Sequence, residues 1–125
     1  MVVGEMTQIL AVDDSPSMRA LVRSTLEEAG FDVVSACDGV EALATARGKP
    51  FGLVLADVNM PNMNGIELTR EIRALPGYAF TPILILTTES GTDRKGEAKA
   101  AGATGWLVKP FEPAKLVATV RKVLG

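Results

Sequence analysis

The residues best able to do chemistry are few: the carboxylates Asp13, Asp14 and Asp57, the hydroxyl of Thr87 and the ammonium of Lys109. Each follows a short apolar run, in the contexts Val12-Asp13-Asp14-Ser15, Ala56-Asp57-Val58-Asn59, Leu86-Thr87-Thr88-Glu89 and Val108-Lys109-Pro110-Phe111. Two unit charges ~4 Å apart repel by roughly 4 kcal/mol at an effective dielectric near 20, so gathered carboxylates carry a penalty that one lysine offsets only in part. A hard divalent cation resolves it, and carboxylate and carbonyl ligands with waters suit Mg²⁺. A carboxylate beside such a cation, a hydroxyl and an ammonium is equipped to bind a phosphoryl group. Mg²⁺ and Lys109 would neutralise its equatorial oxygens while a carboxylate attacks in line.

Composition removes most other chemistry. The sequence has no histidine and one cysteine, Cys37. Ser-His-Asp and Cys-His catalysis, a structural zinc site and a phosphohistidine carrier are therefore excluded. Cys37 has no internal disulfide partner, which suits a reducing compartment. With 13 Lys+Arg against 15 Asp+Glu, the net charge of −2 argues against a nucleic-acid partner. No run approaches the ~18 consecutive apolar residues of a membrane span. The stretch from Met1 to Met6 lacks the basic and apolar regions of a secretory signal. A cytoplasmic protein with no membrane partner is expected, with translation starting at Met1 or at Met6.

The elements that must position these residues alternate in kind. Strand patterns run over Ile9 to Val12, Val33 to Ala36, Leu53 to Ala56, Ile83 to Leu86 and Trp106 to Val108. Runs apolar throughout, without alternation, suit parallel strands covered on both faces. Between them Met18, Leu21, Val22, Leu26 and Ala29 form a helical stripe, opened by Ser15-Pro16 and closed by Gly30. Ala42, Leu43 and Ala46 mark a short second helix. Leu68, Thr69, Ile72 and Leu75 mark a third, ended by Pro76-Gly77, and Leu116, Val117, Val120, Val123 and Leu124 mark the last. The segment from Gly91 to Ala101 offers little but Ala98 and Ala101 as an apolar face, so a helix there is weakly held. Five alternations in 125 residues predict one α/β domain, a flavodoxin-like, doubly wound five-stranded parallel sheet.

Each polar residue alone has an ordinary explanation. Asp13-Asp14 before Ser-Pro can cap a helix, and Asp57 can open a turn. Thr87 can be a strand former, while Lys109, Asn59 and Glu89 can be plain surface groups. In parallel sheets, however, ligands bind beyond the carboxyl ends of the strands. Four strand ends would supply polar groups to one pole together, which the ordinary explanations do not account for.

With these motifs in order, the chain resembles the receiver domains of two-component response regulators, over essentially its whole length. The match rests on Val12-Asp13-Asp14-Ser15, on Asp57-Val58-Asn59-Met60-Pro61-Asn62-Met63-Asn64-Gly65, on Leu86-Thr87-Thr88-Glu89 and on Lys109-Pro110-Phe111. The resemblance implies that Asp57 is the phosphoacceptor, taking its phosphoryl group from a phosphohistidine on a kinase. It implies Mg²⁺ ligands from Asp14, Asp57 and the Asn59 backbone carbonyl, with Asp13 acting largely through water. Thr87 and Lys109 would bind phosphoryl oxygens, and Lys109-Pro110 would be a cis peptide. Gly65 would permit a turn that a side chain hinders. Asn59 and Glu89 would tune dephosphorylation, and Trp106 would occupy the switch position, moving inward as Thr87 shifts.

The sequence ends at Leu124-Gly125, directly after the last helical pattern, so a single domain over 1–125 with no output domain is expected. Among receivers the chain looks most like stand-alone chemotaxis regulators of the CheY type. That likeness implies a chemotaxis histidine kinase as donor, the flagellar motor switch protein as target, a phosphatase as a further partner, and a monomeric switch rather than an enzyme. The alternative is a single-domain receiver in another phosphorelay, or a phosphate sink. An aspartyl-nucleophile phosphatase would want a second Asp where Ser15 stands. A flavin mononucleotide carrier would find its phosphate repelled by Asp13-Asp14.

Overall fold

Strands apolar on both faces have to be covered on both faces, and the chain meets this with helices on either side of one sheet. The computed structural model describes residues 7–60, 62–88 and 92–125, leaving aside the side chains of 92–94. The elements run β1 (Gln8–Val12), α1 (Pro16–Glu28), β2 (Asp32–Ala36), α2 (Gly39–Gly48), β3 (Leu53–Asp57), α3 (Gly65–Arg73), β4 (Ile83–Thr87), α4 (Thr92–Ala101), β5 (Gly105–Val108) and α5 (Pro113–Leu124). All four strand pairings are parallel, in the order β2-β1-β3-β4-β5. This is the expected CheY-like flavodoxin fold.

Strand alternation divides the core in two. Ile9, Ala11, Leu53, Leu55, Leu84, Leu86 and Leu107 face α1 and α5, meeting Val22, Leu26, Leu116 and Val120. Leu10, Val12, Val54, Ala56, Ile83 and Ile85 face α2, α3 and α4. The helix boundaries follow local chemistry. Ser15 accepts a hydrogen bond from the Met18 N–H, and Pro16 opens α1. At the other end Gly30, with φ +97°, lets Gly30 N–H and Phe31 N–H return to Glu27 O and Leu26 O. Asn64 and Glu67 cap α3 reciprocally.

Three element ends differ from the sequence expectation. Asp57 and Thr87 are the last ladder residues of β3 and β4, in register with Leu86 and Val108, rather than the first residues after them. Helix α3 stops at Arg73, so Leu75 lies outside it, in a turn closed by its N–H on Ile72 O. The proline that follows Leu75 disfavours helical backbone there. Helix α4 has the thin apolar stripe its sequence announced, with Ala98 and Ala101 buried. No helix among the described residues is long and apolar enough to cross a membrane.

Candidate functional site

The carboxyl ends of β1, β3, β4 and β5 deliver their polar residues to one pole. Asp13 follows β1 and is held by its N–H on Ala36 O. Asp57 closes β3, Thr87 closes β4, and Lys109 follows β5 with its N–H donating to Thr87 O at 2.7 Å. Asp13, Asp57 and Thr87 are three of the four buried polar residues among the described ones, at 3%, 6% and 2% exposure; the fourth, Thr69, lies in α3. Asp14 is exposed at the rim.

Lys109 joins the cluster. Its Nζ stands 3.0 Å from Asp13 Oδ2 and 3.2 Å from Asp57 Oδ1, with most of the side chain shielded from solvent. Asp13 Oδ1 accepts the Ser15 N–H at 2.9 Å. Burial pushes the Asp57 carboxyl above its ordinary range, aided by the Asp13 charge and opposed by Lys109 and by the Asn59 backbone N–H. For Lys109 burial pulls the other way, but its hydrogen bond to Asp13 and the charges of Asp57 and Asp13 prevail and raise it. The residual repulsion among the acids is what a cation would relieve. One carboxylate oxygen from each of Asp13, Asp14 and Asp57 lies within 4.8 Å of the others, and an all-oxygen donor set of this size fits a hard divalent ion such as Mg²⁺.

The surrounding positions have distinct environments. A Cβ on Gly65 would overlap the Asp57 carbonyl, so this glycine serves close approach of α3 to the end of β3, and its φ is not positive. Asn59 is exposed beside Asp57, Lys109-Pro110 is cis, and Glu89 lies outside the described residues. Trp106 points outward at 37% exposure, opposite in face to buried Leu107, with Lys95 Nζ 5.0 Å from its ring centroid. Sequence reasoning did not single out Arg19, whose Nη1 donates to Asp13 O at 2.6 Å. It also passed over Lys95 and Arg73. Arg19 lies one turn into α1, a spacing that could have suggested a reach back to the Asp pair; nothing local marks the other two.

The model of the response regulator receiver domain matches residues 9–121. A curated relative, a chemotaxis protein CheY homolog of Campylobacter jejuni, is 39% identical over 94% of this chain and 92% of its own. Among solved structures, the chemotaxis protein CheY4 of Vibrio cholerae superposes with a TM-score of 0.93 at 51% identity, covering 95% of this chain and 99% of that one. The receiver domain of a Pseudomonas aeruginosa sensor histidine kinase, solved with magnesium coordinated in its active-site cleft, gives 0.89 at 29% identity over 97% and 99%. The chain belongs to the response regulator receiver domain family and is of the CheY type.

Proposed function

We propose that this protein is a phosphorylation-activated switch in which Asp57 is the phosphoacceptor. The observation that carries the reading is the buried Asp57 carboxylate held 3.2 Å from Lys109, inside a three-carboxylate group able to take a divalent ion. An Asp57 carboxylate oxygen attacks the phosphorus of a phosphohistidine on a partner kinase. The P–N bond breaks, its electron pair leaves with the imidazole, and an aspartyl phosphate remains. Lys109 moves from pairing two carboxylates to pairing a phosphoryl oxygen, and the Thr87 hydroxyl donates to another. Asp14, Asp57 and the Asn59 carbonyl, with Asp13, would hold Mg²⁺, which would supply further positive charge against the phosphoryl oxygens.

The CheY-named relatives support a chemotaxis role, with a chemotaxis histidine kinase as donor and the flagellar motor switch protein as target. In this reading the protein works as a cytoplasmic monomer, Trp106 relays the state of Thr87, and Asn59 with Glu89 sets the phosphoryl lifetime, alone or with a phosphatase. The protein turns over its own phosphoryl group alone and is a switch, not an enzyme. Binding of the phosphorylated and unphosphorylated protein to a motor switch protein tests the target. Binding stronger after phosphorylation is expected; equal binding, together with return of the phosphoryl group to a histidine-bearing protein, would place it in another relay.

A further inference from the structure

Helix α4 is fastened firmly at one end. Among its described side chains Ala98 and Ala101, both in the last turn, are the buried ones. Just beyond them Arg73 donates from Nε and Nη2 to Gly102 O at 3.0 and 2.8 Å, and from Nη1 to Tyr78 O and Thr81 O at 2.7 and 2.6 Å. One guanidinium therefore ties the carboxyl end of α4 to the turn between α3 and β4. Toward the other end, Lys95 lays its ammonium over the ring of Trp106.

We infer that Lys95 is a positioning residue for the switch, a latch whose contact with Trp106 holds the ring outward and α4 at rest. The inference rests on the receiver reading above, and adds to it a regulator on α4. With the far end pinned by Arg73, any displacement of α4 is largest on the side of Lys95, so this contact opens first. A contact made in one of two states and lost in the other biases the equilibrium by its own worth. A cation over an exposed ring corresponds to a factor of about two to five. An arginine reaches the same ring face; a methionine keeps the length of the side chain and loses the charge.

Trp106 is the single tryptophan, so its emission reports the latch without a label. The parent, Lys95→Arg and Lys95→Met are each incubated with a small acyl phosphate and Mg²⁺, with Asp57→Asn as the blank. Phosphoryl gain is followed by intact mass, and Trp106 exposure by acrylamide quenching before and after. Lys95→Met gains its phosphoryl group about two- to fivefold faster than the parent, and its resting quenching moves toward that of the phosphorylated parent. Lys95→Arg follows the parent. An unchanged or slower rate in Lys95→Met, or an arginine variant that behaves like the methionine one, overturns the latch and leaves the receiver chemistry standing. No phosphoryl gain in the parent overturns the receiver reading and the latch with it.

Discussion

At the scale of the residue, the site is a negotiated balance of charge. Asp57 is buried with its carboxyl raised, so its ionised form costs the fold free energy relative to the unfolded chain. Replacing it with Asn therefore stabilises the metal-free protein at neutral pH, by on the order of 1 kcal/mol, while abolishing phosphorylation. Because a raised carboxyl penalises the fold only where it is ionised, the advantage shrinks as pH falls through the carboxylate range. Urea midpoints of parent and variant at neutral and acid pH check this; a variant less stable than its parent without metal contradicts it. Asp14 is the exposed member of the carboxylate group. Mg²⁺ binding to the folded state raises the thermal midpoint of the parent. Asp14→Asn removes most of that rise, and an unchanged Mg²⁺ response in the variant refutes its place among the ligands.

At the scale of the element, strand ends and helix starts were largely legible in the sequence, because they follow local chemistry. Ser15-Pro16, Gly30 and the unbroken apolar runs each announce themselves. The end of α3 was misplaced because the apolar spacing continues to Leu75 while the backbone is stopped by the proline after it. Arg73 stayed invisible for a different reason: its partners are backbone carbonyls of residues 78, 81 and 102, and a carbonyl leaves no trace in a sequence. Arg73→Met strips these carbonyls of a charged donor and lowers stability by about 2 kcal/mol. Amide exchange then quickens first in α4, and uniform quickening across all helices would contradict the anchoring role. Gly65 was singled out for a backbone turn, but its need is space. Gly65→Ala pushes the start of α3 off the Asp57 carbonyl, costing about 1–3 kcal/mol and slowing phosphorylation.

At the scale of the whole molecule, two half-cores on either face of the sheet leave the carboxyl pole free for polar groups. That pole was legible because parallel sheets expose it by construction, and four polar strand ends had to meet there. The opposite side held less signal. Tyr78 is 4% exposed, and its hydroxyl links the α2–β3 connection to the turn after α3, donating to Ala46 O or Lys49 O and accepting the Phe51 N–H. Burial raises its phenol above the ordinary value, with the Phe51 N–H pulling the other way. The folded protein thus keeps this proton where the unfolded chain loses it. The contribution of Tyr78 is complete below ~pH 10 and is lost as pH rises through the folded value. Tyr78→Phe costs about 1–3 kcal/mol at neutral pH, and the gap to the parent narrows above ~pH 10. Denaturation series at both pH values decide the matter, and a gap that widens in alkali would contradict the assignment.

The central claim is that Asp57 accepts a phosphoryl group with help from a divalent ion. Its most direct test is the intact mass of the parent and of Asp57→Asn after incubation with a small acyl phosphate, with and without Mg²⁺. The account predicts one phosphoryl group gained by the parent in Mg²⁺, and none by the variant or by the parent in chelator. A gain that survives the loss of Asp57, or no gain in any condition, would contradict it.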